Sequence, residues 1–117
     1  MSVEAQLFGV LKALCPRTFP DFAPVSTQRP YVTWQQVGGQ PLRYLDNTAA
    51  EVRHSEIQVN VWADTRMSAV TLARQIEDAL CDSTVFQATP NSESVSDFDA
   101  DIPVYSCRQD FEIYAAR

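Results

Sequence analysis

Residues 53–80, RHSEIQVNVWADTRMSAVTLARQIEDAL, change from the periodicity of a strand to that of a helix. In the first half, apolar residues alternate with polar ones, and the apolar set is Ile57, Val59, Val61 and Ala63. This period of two predicts a strand with one buried face. In the second half, apolar residues recur at helical spacing, at Ala69, Leu72, Ala73, Ile76 and Leu80. The stretch therefore predicts a strand, a polar turn and an amphipathic helix, whose residues favour packing and assembly over chemistry.

The length of 117 residues predicts one compact domain over residues 1–117. The chain is 45% hydrophobic and 21% charged, which is typical of a globular protein. Its longest apolar stretch falls well short of the roughly 20 residues that span a membrane. The opening sequence, MSVEAQLFGVLKALCP, lacks the basic leader of a signal peptide and carries Glu4 early. We therefore expect an intracellular protein without membrane association.

The charge balance and the cysteines exclude two further classes. Nine basic and fifteen acidic residues give a net charge of −6, which opposes contact with phosphate backbones. We expect no specific nucleic-acid binding. The cysteines, Cys15, Cys81 and Cys107, are odd in number and far apart, so a disulfide framework is disfavoured and we expect reduced thiols.

The remaining elements follow from caps, prolines and alternation. Ser2 predicts the start of a first helix, which Pro16 ends near residues 13–15. Asp64 or Thr65 predicts the cap of the second helix, which runs to about Cys81. The four predicted strands are Tyr31–Val37, Arg53–Ala63, Val85–Thr89 and Val104–Ala115. The order α-β-β-α-β-β predicts an α+β fold with two helices packed on a four-stranded, mainly antiparallel sheet.

Long loops are predicted at about residues 16–30, 38–52 and 90–103. The second loop has no sustained period and is longer than a hairpin needs, and such connections are usually functional or mobile. Trp62 points away from the buried face of its strand, where it either contacts another subunit or packs under a loop. The candidate subunit-interface residues are Gly38, Gly39, Arg43, Tyr44, Leu45 and Trp62.

The acidic residues of the third loop have the spacing that opens a calcium loop. Asp97, Asp99 and Asp101 form the D-x-D-x-D start, but a complete loop needs glycine at its sixth position and glutamate at its twelfth. Ile102 and Arg108 occupy those positions. The pattern favours a solvated acidic loop over a metal site.

Other chemistry also lacks a complete set of residues. His54 is the only histidine, so one subunit cannot assemble a cage of histidines around a metal. A Cys–His nucleophile is disfavoured because no cysteine begins a helix, where its thiolate would be stabilised. Gly38 and Gly39 are too few for a phosphate-binding loop. We predict no catalytic, cofactor-binding or metal-binding residues, and no enzymatic activity.

The stretch IQVNVWADTRMSAVTLARQIEDAL, residues 57–80, resembles the central signature of the small tail-completion proteins of long-tailed phages and prophages. SVEAQLFGVLKAL resembles the opening helix of that family, and PYVTWQQV resembles its first strand. SDFDADIPVYSCRQDFEIYA resembles its closing segment, in which an acidic stretch leads into an aromatic-rich strand. The resemblance covers most of the chain in the order of the family.

The resemblance implies a virion structural protein similar to the tail terminators of lambda-like phages. Such subunits form a ring, usually of six, on the last ring of the tail tube, stop its growth and present a surface to the head connector. The implied partners are other copies of the chain, the tail-tube protein and the head-tail connector protein, with a subunit that is monomeric in isolation. The implied location is the bacterial host cytoplasm during assembly and then the virion tail. A head-tail joining protein of related fold and a cytosolic adaptor remain alternatives.

Overall fold

The computed structural model describes residues 2–117 and confirms the α+β class and both predicted helices. The two helices lie in the predicted places, but the strands are more numerous than predicted. The elements are α1 (Val3–Leu14), β1 (Thr18–Pro20), β2 (Tyr31–Gly38), β3 (Val52–Ala63), α2 (Arg66–Asp82), β4 (Gln87–Pro90), β5 (Val95–Asp99) and β6 (Val104–Ala116).

The sheet has six strands and is mixed, so the prediction of four mainly antiparallel strands was wrong. Its order is β1-β2-β3-β6-β4, with β5 also paired to β6. β1 runs parallel to β2, and the other pairings are antiparallel. Both unpredicted strands are short edge strands, one in the proline-rich connector and one in the acidic loop. Edge strands tolerate proline and charge because half of their backbone groups need no partner in the sheet.

Both helices begin at cap residues that the sequence predicted, Ser2 and Thr65. The Ser2 hydroxyl accepts a hydrogen bond from the Ala5 amide at 3.2 Å, and the Thr65 hydroxyl accepts one from the Ser68 amide at 3.1 Å. Asp64, the other candidate cap, instead forms a salt bridge with Arg29 at 3.0 Å. Each cap satisfies an amide that the first helical turn leaves without a partner.

The core lies between both helices and one face of the sheet, which we call the inner face. The buried side chains include those that the two periodicities predicted in β3 and α2. Others come from α1, β2 and β6, among them Leu7, Leu11, Val32, Trp34, Cys107, Gln109, Phe111, Ile113 and Ala115. The buried Gln109 amide donates to Glu77 Oε1 at 2.6 Å and to the Ser92 carbonyl at 2.8 Å. This polar side chain therefore ties β6 to α2 and to the segment that precedes β5.

The molecule is long and narrow, with extents of 52 × 25 × 23 Å. β3 and β6 pair over twelve positions, from Val52 opposite Ala116 to Ala63 opposite Tyr105. β5 pairs with the first residues of β6, and the connection between β2 and β3 lies at the other end. The sheet thus has two ends with different attachments. Within residues 2–117, we find no helix long and apolar enough to cross a membrane.

Candidate assembly surface

The connection between β2 and β3 folds into a hairpin, which we call the arm and define as residues 40–51. The Tyr44 amide donates to the Thr48 carbonyl at 2.9 Å, and the Ala50 amide donates to the Leu42 carbonyl at 3.3 Å. A single antiparallel bridge joins the two sides of this hairpin. The sequence predicted a loop here, because so short a ladder leaves no alternating pattern to recognise.

The tip of the arm is ordered by its own polar groups. Asp46 Oδ1 accepts hydrogen bonds from the Thr48 hydroxyl at 2.7 Å and the Thr48 amide at 3.1 Å. These bonds lower the pKa of the Asp46 carboxyl from its ordinary value. Asn47 adopts φ 73°, a left-handed conformation that asparagine tolerates. The fixed turn leaves Tyr44 half exposed and Leu45 fully exposed.

The root of the arm is held by a glycine and a histidine. Gly39 has φ 146°, and a Cβ at this position would lie 2.6 Å from the backbone oxygen of His54, so only glycine fits. The Gln40 amide donates to His54 Nδ1 at 2.8 Å. The buried His54 ring stacks on Tyr114, with 4.6 Å between ring centroids. The sequence placed His54 only at the polar start of a strand, because its partner is a backbone amide that no motif marks.

Nε2 of the same imidazole lies 3.2 Å from Glu112 Oε1 but lacks the alignment of a hydrogen bond. With Nδ1 accepting from Gln40, the neutral ring carries its proton on Nε2. His54 is therefore a fixed support for the arm, and within residues 2–117 it belongs to no group of three side chains that could hold a metal. This geometry agrees with a structural role.

Three arginines gather at the root of the arm. Arg43, Arg53 and Arg117 line one open groove of about 300 Å³. Burial and the charges of Arg53 and Arg43 lower the pKa of Arg117. Within residues 2–117, none of the three forms a salt bridge. The chain has nine basic residues in all, so a third of them meet here without a salt-bridge partner in the described chain.

The opposite end of the sheet carries an acidic, partly apolar surface. All five residues of β5 are exposed. Asp99 Oδ1 accepts hydrogen bonds from the amides of Asp101 and Ile102 at 3.0 and 3.4 Å, so this carboxylate orders the turn that follows β5. In the described part of the chain, histidine, cysteine and carboxylate side chains form no group of three that could hold a metal. Large exposed apolar residues accompany the acids at Val95, Phe98 and Ile102.

Trp62 lies apart from the other candidate interface residues. Its position opposite Ser106, which also pairs with Asp97, puts it at the β5 end of the sheet and not at the arm. Its indole Nε1 donates to Thr33 Oγ1 at 3.2 Å, and its ring stacks on Tyr31. The half-buried ring packs against the neighbouring strand. The structure thus brings Gly38, Gly39, Arg43, Tyr44 and Leu45 together and separates Trp62 from them.

The three cysteines are free. Cys15 and Cys107 are buried, and Cys81 is exposed. Burial raises the pKa of the Cys107 thiol, and burial together with Glu77, Asp82 and Asp78 raises that of Cys81. Since the thiolate is the reactive form, these environments disfavour nucleophilic chemistry at both residues.

Comparison with known protein families identifies the family of the chain. A family model described as "Tail completion protein gp17" matches residues 4–116. The chain belongs to this family. The resemblance expected from the sequence is thereby confirmed, and the protein is a structural component of a phage-like tail.

A solved structure shares the fold. A chain from a structure titled "Virion of native gene transfer agent (GTA) particle" matches with a TM-score of 0.65 and 16% identity, over 99% of this chain and 96% of that chain. At this identity, the likeness establishes the fold alone. No curated protein sequence matches the chain.

Proposed function

We propose that the protein is a tail terminator whose copies form a ring on the end of the tail tube, stop its growth and join it to the head connector. The observation that carries this proposal is the arm, which is fixed at its root yet holds Tyr44 and Leu45 out in solvent. An exposed apolar tip on an ordered support is suited to contact with another protein. Membership of the tail-completion family supplies the context.

Ring closure needs head-to-tail contacts between unlike surfaces, since a two-fold interface would stop at a dimer. The two ends of the sheet differ in this way, with the arm at one end and β5 at the other. A ring of six is the stoichiometry that the family resemblance implies. We expect the free subunit to be monomeric and its copies to associate on the tube.

The charge of the chain fits a ring around a DNA channel. A net charge of −6 repels the phosphate backbone. Contact between the ring and the passing DNA therefore releases no counterions, and binding of the DNA to the ring is not favoured. The protein is assembled in the host cytoplasm and remains in the virion tail. The cytosolic adaptor alternative has no observation in its favour.

Electron microscopy of the purified protein mixed with its own tail tubes tests the proposal. We expect a ring at one end of each tube and no further lengthening when tube protein is added. Leu45→Ser should abolish capping, and Val25→Ser, which removes a similarly exposed apolar side chain from the connector before β2, should not. Binding to the head connector without binding to tubes would instead indicate a head-tail joining protein. Binding to neither would overturn the proposal.

A further inference from the structure

We propose that neighbouring subunits meet head to tail, with the arginine cluster and arm tip of one copy against the acidic β5 end of the next. This inference rests on the proposed ring and names its interface. The first surface consists of Arg43, Tyr44, Leu45, Arg53 and Arg117, and the second consists of Val95, Asp97, Phe98, Asp99, Asp101 and Ile102.

The two surfaces lie too far apart to meet within one subunit. The arm joins β3 at Val52, which pairs with Ala116, whereas β5 pairs with residues 104–108 at the start of β6. The twelve paired positions between these ends correspond to about 40 Å at the rise of a strand. Each surface can therefore meet its complement only on a second copy.

The charges of the two surfaces are complementary. The three arginines line one groove at the root of the arm, where like charges repel one another. Asp97, Asp99 and Asp101 form no salt bridge within the described chain, and neither do the arginines. Contact between copies would place each cluster against the opposite charge, which steers association and fixes orientation.

Each surface also carries apolar side chains that a stable contact could bury. Tyr44 and Leu45 project from the arm, and Val95, Phe98 and Ile102 lie exposed beside the acids. Apolar anchors surrounded by charged groups are the usual composition of a protein interface. In the described chain β5 pairs with β6 alone, so its second edge is open to a strand from a neighbour.

The same charges disfavour contacts between identical surfaces. An arm-to-arm contact would bring two arginine clusters together, and a contact between two β5 ends would bring two sets of aspartates together. Because like charges suppress incorrect partners, association is directed to the head-to-tail arrangement. That arrangement is the one that closes a ring.

A charge exchange between two variants tests the interface. Variant one carries Arg43→Glu and Arg53→Glu, and variant two carries Asp97→Lys and Asp101→Lys. We expect each alone to associate on tail tubes at least about tenfold more weakly than wild type at low salt, and an equimolar mixture to recover to within about threefold. The control carries Lys12→Glu and Arg74→Glu on the helices, with the same change in net charge as variant one, and should associate as wild type does.

Crosslinking provides a second measurement in chains that lack the exposed Cys81 through Cys81→Ser. One variant adds Ala49→Cys and the other adds Ala100→Cys, which are exposed positions beside the two surfaces and not among their anchors. On tubes, under oxidising conditions, the mixture should form crosslinks between the two variants at least about fivefold more often than either variant does with itself. This measurement remains informative if a charge-exchange variant folds poorly.

The outcomes separate this interface from the proposed function. The interface is overturned, and the terminator function is left intact, if wild-type protein caps tubes but the variants behave otherwise than expected. That is the case if each variant alone assembles as well as wild type, or if the mixture recovers no association. Crosslinks confined to like variants overturn it as well. Wild-type protein that neither associates nor caps tubes overturns both.

Discussion

The β3–α2 unit and the arm are neighbours in the chain but are held in place by different forces. In β3–α2, side chains such as Val61 and Ile76 are buried against each other and against β6. In the arm, residues 43–49 are all exposed, and the conformation depends on backbone hydrogen bonds, Gly39 and His54. The comparison indicates that one region supplies stability and the other supplies a surface for assembly.

The largest effect is expected from truncating the buried unit. Ile76 is 1% exposed, so Ile76→Ala should lower the free energy of unfolding by about 2 to 5 kcal/mol through lost burial and a cavity. Urea unfolding followed by circular dichroism measures this loss. Leu45→Ala is the matched truncation in the arm and should change stability by less than about 0.5 kcal/mol. Equal losses at both sites would erase the distinction between the two regions.

A smaller effect is expected at the root of the arm. Gly39→Ala places a Cβ against the His54 backbone and requires an unfavourable φ, at a cost of about 1 to 3 kcal/mol that moving the arm can partly relieve. Gly9→Ala is the control, because a Cβ there meets nothing within 4 Å in α1 and should stabilise by about 0.5 to 1 kcal/mol. Reduced tube capping by Gly39→Ala at a temperature where the protein stays folded would link arm position to assembly. Unchanged capping would show that the root does not set the arm's working position.

The two regions also differ in how far the sequence could predict them. Burial leaves a period in the sequence, so all five buried residues of α2 were identified from spacing alone. β1, β5 and the arm bury little and are held by backbone hydrogen bonds, which any residue with an amide can form. Their sequences were therefore interpreted as connector or loop. β4 begins at Gln87 and not at Val85, because its pairing with β6 begins with Gln87 opposite Tyr114.

The candidate site shows the same division. The connection between β2 and β3 predicted Arg43, Tyr44 and Leu45 as interface candidates, and the structure places them in the exposed arm. Arg53 was missed because its sequence context is that of a strand, and Arg117 was missed because it reaches the root of the arm only through the pairing of β3 with β6. Scattered arginines give no signal in the sequence until a fold brings them together.

Hydrogen exchange should resolve the two regions residue by residue without any mutation. The amides of residues 57–61 lie in the central strand and should exchange only with unfolding of most of the domain. The amides of Tyr44, Asn47 and Ala50 are bonded within the exposed arm and should exchange through local opening, with much weaker protection. Added tail tubes should slow exchange in the arm and in β5 and leave residues 57–61 unchanged. Equal protection in the free subunit would mean that the arm is part of the cooperative core.

The smallest effect is expected from comparing the reactivity of one thiol in each region, Cys107 in β6 and an introduced Leu45→Cys in the arm. Both are measured in a chain that also carries Cys81→Ser. Burial raises the pKa of Cys107 above its ordinary value, so its native thiol stays protonated at a pH where the unfolded thiol ionises. The stabilisation from this group is therefore complete below the ordinary pKa and declines as pH rises through the raised one. Cys107 should react with maleimide only at the rate of unfolding. The thiol of an exposed Leu45→Cys should react at a rate that rises about tenfold for each unit of increasing pH, until the pH reaches the pKa of that thiol. Rapid labelling of both would show that the β6 face opens as readily as the arm, and the division between a stabilising core and an assembly surface would fail.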